Sequence, residues 1–195
     1  MIIGITGGTG SGKTTALEAI RQLGGQIIDC DQVYHRLLQE DPSLTAAIDA
    51  RFPGCVENGQ LLRKKLGAIV FSDKKALADL NAITGKAVYK EVVRLLESKP
   101  KLAAIDAIGL VEGRLAQLCD VTVAVTAPRE LRVQRIMARD GISEEYALSR
   151  INAQRSDDWF RERCDHLLVN DSTQGAFLLK CIDFFRQFII IDSNP

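Results

Sequence analysis

Short apolar runs alternate along this chain with longer stretches of helical spacing. Ile2 to Thr6 is a continuous apolar run suited to a buried strand. From Thr14 to Leu23, Ala16, Ile20 and Leu23 recur at helical spacing until Gly24-Gly25 ends the pattern. Gln26 to Asp29 reads as a second strand, closing in Asp29-Cys30-Asp31. A helix is expected from about Gln32, and helical signals continue to about Ser98. They are interrupted at Pro42, Pro53-Gly54, Asn58-Gly59 and Gly85, and no strand candidate stands between residues 36 and 98.

The alternation then resumes. Leu102 to Asp106 is a third strand, and Val121 to Thr126 a β-branched fourth, ended by Ala127-Pro128. Glu130 to Arg139 and Ser143 to Arg155 predict two helices hinged at Asp140-Gly141. Ser143 serves as N-cap of the second, with Glu144 and Glu145 in its first turn. Leu167 to Val169 is a fifth strand, and the last helix starts near Gln174. Strands alternating with helices predict an α/β three-layer fold, a parallel sheet with helices on both faces and a ligand crevice at the strands' carboxyl ends. On this reading residues 1–35, 99–128 and 156–195 form the core, 36–98 a helical insertion and 129–155 a helical lid.

Composition narrows the partners. In 195 residues, 25 basic and 25 acidic side chains give a formal charge of zero, so no global field recruits nucleic acid or an anionic membrane. An aromatic content of 6% argues against a stacking platform for single strands. Five widely spaced cysteines, none in a C-x-x-C pair, fit a reducing cytoplasm rather than a disulfide framework or zinc site. No secretory signal is apparent, and Phe177 to Ile191 is broken by Lys180, Asp183 and Arg186, as in a buried helix rather than a membrane span. A cytoplasmic monomer or small homo-oligomer is expected. Phe184, Phe185 and Phe188 suit either core or an oligomer contact.

The chemistry begins at Gly7-Gly8-Thr9-Gly10-Ser11-Gly12-Lys13-Thr14, a G-x-x-x-x-G-K-T loop after a strand and before a helix. Glycines let backbone N–H groups converge on a polyphosphate, and the helix start adds its positive end. Gly8, Gly10, Ser11, Gly12, Lys13, Thr14 and Thr15 are therefore the nucleotide-binding candidates, with the Thr14 hydroxyl as a ligand for Mg²⁺. At the end of the second strand Asp29 and Asp31 share one face by period-two alternation, with Cys30 opposite. A carboxylate there can take a proton from an acceptor hydroxyl or hold Mg²⁺ through water. Asp31 equally suits an N-cap serving the N–H groups near Tyr34. Asp106 ends the third strand, a usual place for a Mg²⁺-associated acid, and Glu112 follows six residues later. Arg129, Arg132, Arg135 and Arg139 lie along one helix, with Arg132, Arg135 and Arg139 on one face, and Arg150 and Arg155 follow on the next. Such guanidinium groups can close over a phosphoryl group in transit.

These segments together resemble the dephospho-coenzyme A kinases of the P-loop kinase class. The resemblance runs through Gly4 to Thr14, Asp29-Cys30-Asp31 with His35, Leu80-Asn81-Ala82-Ile83-Thr84, Asp106 to Glu112, Cys119-Asp120, Arg139-Asp140-Gly141, Gln154 and Asn170. It implies ATP-dependent phosphorylation of the ribose 3′-hydroxyl of dephospho-coenzyme A, with ATP and Mg²⁺. It also implies Lys13, Asp31 as base and the lid residue Arg139 as the catalytic set, Asn170 near the adenine, and His35, Asn81 and Asp106 on the acceptor. Two segments depart from the family pattern: Gly85-Lys86 stands where His-Pro is common, and Ile108-Gly109-Leu110-Val111 lacks the usual proline and aromatic. Both departures touch the acceptor half, so a kinase of another small hydroxyl or nucleotide-like compound also fits the residues. So does a non-catalytic nucleotide-dependent binding protein, although the guanine-reading N-K-x-D motif is absent.

Overall fold

In the computed structural model, which describes residues 1–191, the chain runs β1 (Ile2–Gly7), α1 (Lys13–Gln22), β2 (Gln26–Asp29), α2 (Cys30–Glu40) and α3 (Pro42–Arg51). It continues through β3 (Val56–Glu57), β4 (Gln60–Leu61), α4 (Arg63–Val70), α5 (Lys74–Leu96) and β5 (Ala103–Asp106). A 3₁₀ turn (Leu115–Leu118) precedes β6 (Val121–Thr126), α6 (Arg129–Asp140), α7 (Glu144–Asn152), α8 (Asp157–Arg163), β7 (His166–Val169) and α9 (Gln174–Ile191). Two compact units result. One is Met1–Ile28 with the chain from Lys99 onward, and the other is Asp29–Ser98.

In the first unit the sheet order is β2-β5-β1-β6-β7, and β1 pairs parallel with both β5 and β6, as does β6 with β7. Central parallel strands are covered on both faces, which is why β1, β5 and β6 read as unbroken apolar runs. The chain leaves β1 toward one side of the sheet and later crosses to the other. The carboxyl ends of β1 and its neighbours therefore form the switch point where such folds bind ligands. One core joins Ile3, Ile5, Ile20, Val123 and Val125 to Phe177, Cys181 and Phe185 of α9. Each fully buried Ile or Phe contributes about 1.5–3 kcal/mol. Phe184 and Phe188 pack on that core as well, with the His166 ring 5.2 and 5.6 Å from theirs. Phe185 is therefore core, and Phe184 and Phe188 are partly buried against it. No helix of the described residues is long and apolar enough to cross a membrane.

The second unit departs from several expectations. The strand ends at Asp29 and α2 starts at once with Cys30, two residues early, so Asp29, Cys30 and Asp31 never alternate as a strand. The N-cap is Asp29 rather than Asp31: its carboxylate accepts from the Asp31 and Gln32 amides at 2.9 and 3.0 Å. The interruption at Pro42 forms as expected: α2 ends at Glu40 and Pro42 opens α3 in its first turn, where its missing N–H costs no bond. Asn58-Gly59 makes a hairpin between β3 and β4, so the insertion does contain strands. Asn58 has φ 50° and Gly59 φ 77°, the left-handed pair that a tight turn requires. Gly85 does not break α5, which runs through it for 23 residues. Burial of Ala76, Val88 and Val92 along that helix outweighs the roughly 1 kcal/mol propensity cost of one glycine. This unit has its own core, centred on Leu44, Ile48, Phe52, Cys55 and Leu66.

After β6 the hinged helical pair forms as expected, with Gly141 closing α6 and Ser143 Oγ accepting from the Tyr146 amide at 3.3 Å. The second helix stops at Asn152 rather than Arg155. Ser156 then caps a further short helix, α8, that the periodicity did not predict. Val133, Ile136, Ala147 and Ile151 zip α6 to α7.

Candidate active site

The glycine-rich loop follows β1 and delivers the chain into α1. Gly12 is the N-cap of α1 at φ +97°, a conformation that L side chains rarely adopt. A Cβ there would lie 2.0 Å from Asn170 Nδ2, so the position is closed sterically as well. No side chain caps α1, which leaves its first N–H groups directed at whatever anion the loop encloses. Asn170, at the end of β7, is buried. Its Nδ2 donates to Ser11 O at 2.9 Å, and its Oδ1 accepts from Arg135 Nη2 at 3.2 Å. Its amide is thus spent bracing the loop from beneath.

A cavity of about 410 Å³ opens over the loop. Gly7 to Gly10, Gly12, Lys13 and Thr14 line one side, and Arg135, Arg139, Arg150, Gln154 and Ile108 the other. That size lies within the range of small-ligand sites. Lys13 Nζ donates to Asp106 Oδ1, so the strand-end acid sits beside the loop lysine. Thr6 Oγ1 donates to Ile108 O at 3.0 Å and holds the segment after β5 alongside. Glu112 of that segment accepts from Arg155 Nε at 2.7 Å.

Three helical turns of α6 face the loop. Arg132 Nε donates to Thr9 O at 2.9 Å, Arg135 Nη1 to Gly10 O at 3.4 Å and Arg139 Nη2 to Thr9 Oγ1 at 3.4 Å. The spacing that places these three on one face therefore directs them at the loop. Burial pulls Arg132 below the usual guanidinium range, while Asp157 opposes that shift. Asp140 accepts from Arg139 Nε at 2.7 Å and from Arg150 Nη1 at 2.5 Å, and those bonds, Arg139 first, hold its carboxyl at about 2. It fixes two cations at the cavity rim.

Thr15 follows in α1 outside the cavity lining, and the other expected residues belong to the helical unit. Asp31 stands exposed in the first turn of α2, and His35 one turn later, with Nδ1 3.3 Å from Arg63 Nη2. Asn81 is exposed on α5. Cys119 and Asp120, part of the ordered motif set, are structural. Cys119 packs against Gly4, and burial pushes its thiol up to about 12; Asp120 accepts from the Ile2 amide at 2.6 Å. What periodicity missed is Gln154, whose Oε1 accepts from the Thr9 amide at 2.8 Å. Its only sequence signal was its place in the motif order.

Comparison with known proteins agrees with this geometry. The family model described as dephospho-CoA kinase matches residues 1–175. A dephospho-CoA kinase of Latilactobacillus sakei is 38% identical over 176 residues, covering 88% of this chain and 87% of its own. One of Dehalococcoides mccartyi is 36% identical over 192 residues, covering 95% and 96%. A crystal structure from Thermus thermophilus superposes with a TM-score of 0.80 at 30% identity, covering 100% of this chain and 98% of that one. The loop, its arginine wall and these matches lead to one conclusion: the chain belongs to the dephospho-CoA kinase family.

Proposed function

We propose that this protein transfers the γ-phosphoryl group of ATP to the ribose 3′-hydroxyl of dephospho-coenzyme A. The observation that carries the donor half is the cavity in which an uncapped helix start, Lys13, Thr14 and three arginines converge. In phosphoryl transfer a loose transition state spreads charge over the three equatorial oxygens and leaves little covalent chemistry to the protein, so positioning and fixed positive groups supply the catalysis. Lys13 carries three donors and can keep Asp106 while donating to a phosphate oxygen. Arg139 and Arg150, held together by Asp140, close the rim. Thr14 lines the cavity in the first turn of α1, where one hydroxyl plus phosphate oxygens and water suits Mg²⁺. Held there by Thr14, Mg²⁺ would offset negative charge on the polyphosphate.

On this reading Asp31 takes the proton of the attacking hydroxyl, and His35 and Asn81 contact the acceptor. Asn170 shapes the nucleotide site through the Ser11 carbonyl and Arg135. The enzyme works in the cytoplasm as a monomer or small homo-oligomer. The test is to incubate the protein with ATP, Mg²⁺ and dephospho-coenzyme A and to follow coenzyme A by chromatography. Turnover that falls sharply in Asp31→Asn supports the assignment. Tight ATP binding without coenzyme A formation would overturn the acceptor, and an active Asp31→Asn variant would overturn the base.

A further inference from the structure

Thr9, at the bend of the loop, has three polar groups, and the arm from α6 to the end of α7 engages every one. Its N–H donates to Gln154 Oε1 at 2.8 Å, its carbonyl accepts from Arg132 Nε at 2.9 Å, and its hydroxyl accepts from Arg139 Nη2 at 3.4 Å. Gln154 Oε1 also accepts from Arg132 Nη2 at 3.1 Å. Both neighbours are donors, which settles that the amide oxygen, not the nitrogen, faces them. Arg132 is only 6% exposed, and its Nη1 lies 3.7 Å from Asp157. A guanidinium so buried is held only by full engagement of its donors. Together these side chains fill the space beneath Gly8, where a Cβ would fall 2.3 Å from Arg132 Nη2 and 2.9 Å from Gln154 Oε1.

We propose that Gln154 and Arg132 are positioning residues for the donor nucleotide, acting through the two peptides that flank the Thr9 Cα. Gln154 holds the Gly8–Thr9 peptide by its N–H and Arg132 holds the Thr9–Gly10 peptide by its C=O, and together they set the orientation of the following amides, from Gly10 to Thr14, toward the phosphates. A peptide freed at Thr9 can rotate about its flanking glycines, which offer little steric resistance. Because Arg139 rides on the helix that carries Arg132, the clamp also fixes where the phosphate-facing arginine sits relative to the loop. The arm and the loop therefore move as one body at this point. Any opening of the hairpin must occur farther along, toward Gly141.

The inference rests on the cavity being the ATP site but not on the identity of the acceptor, so its test uses nucleotide binding. Gln154→Leu keeps the volume and removes the acceptor, whereas Gln154→Glu keeps an acceptor for both donors. Isothermal titration with Mg·ATP is expected to show Kd raised about tenfold in Gln154→Leu, the equivalent of one lost hydrogen bond, and restored to within about twofold in Gln154→Glu. Steady-state kinetics should move the KM for ATP in parallel and leave that for dephospho-coenzyme A unchanged. Arg132→Lys, which retains the charge but not the planar fork, is the second variant and should weaken ATP in the same way. Wild-type ATP affinity in folded Gln154→Leu or Arg132→Lys would overturn the proposal. So would equal loss in the Leu and Glu variants that follows a common fall in Tm, since that is the mark of a purely structural role. Failure of the wild type to phosphorylate dephospho-coenzyme A would leave the titration intact, and failure to bind ATP at all would instead refute the cavity assignment.

Discussion

Replacing Gly12 by alanine probes the loop at its tightest point. Two costs follow from the structure. At φ +97° an L residue is strained by about 1–2 kcal/mol. The new Cβ would also stand 2.0 Å from Asn170 Nδ2, so that amide must move and release its 2.9 Å bond to the Ser11 carbonyl. Leaving a buried carbonyl unpaired costs about 1–3 kcal/mol. The sum, about 2–5 kcal/mol, is a large part of the stability of a domain this size. Urea unfolding followed through Trp159 suits the measurement, because the chain has one tryptophan and it lies in the nucleotide-binding unit. The midpoint should fall with the slope unchanged. Adding Asn170→Ala clears the clash, so the double variant should be more stable than the two single losses predict, by about 1–2 kcal/mol. A single-variant loss below about 1 kcal/mol, or strict additivity, would refute the reasoning.

Further expectations are open to direct measurement. Lys13→Met should lower kcat about 10²–10³-fold with the fold intact by circular dichroism, and a smaller drop would remove the lysine from the transition state. The Asp140 carboxyl, held near 2 against an ordinary 3.8, keeps its bridges to Arg139 and Arg150 above the ordinary value and loses them only as pH falls through about 2. A carbon NMR titration of that carboxyl should show this, and a midpoint near 4 would mean the bridges do not form in solution. Gly85→Ala should stabilise α5 by about 0.5–1 kcal/mol, since a Cβ there meets nothing within 4 Å; urea unfolding followed by backbone dichroism reads the sign. Gly59→Ala should cost about 1–2 kcal/mol in the hairpin and speed amide exchange across β3 and β4. Unchanged exchange would contradict the turn assignment.

The nucleotide-binding unit was legible in the chain because its signals are local and redundant. Val121–Thr126 forms the strand its β-branched run predicts, and the loop from Gly7 to Thr14 carries its chemistry in consecutive residues. The i, i+3, i+7 spacing of Arg132, Arg135 and Arg139 foretold a shared face because helix geometry alone imposes it. The insertion was harder to read. Asn58-Gly59 and Gly85 carry the same turn signal, and only packing around each decides that one bends a hairpin while the other continues a helix. Asp29 and Asp31 posed a similar problem, because which one caps depends on where the strand releases the chain.

Sequence alone therefore determined the fold class, the phosphate loop, the arginine face and the ordered motifs of a dephospho-CoA kinase. Tertiary structure decided which groups each of those arginines meets. It buried Arg132 under Gly8, set Gln154 against the Thr9 amide 145 positions away, and placed the Asn170 amide beneath the Ser11 carbonyl. Contacts between residues so distant in the chain leave no period or local propensity to read. They exist only once β1, α6 and β7 bring their ends to one edge of the sheet.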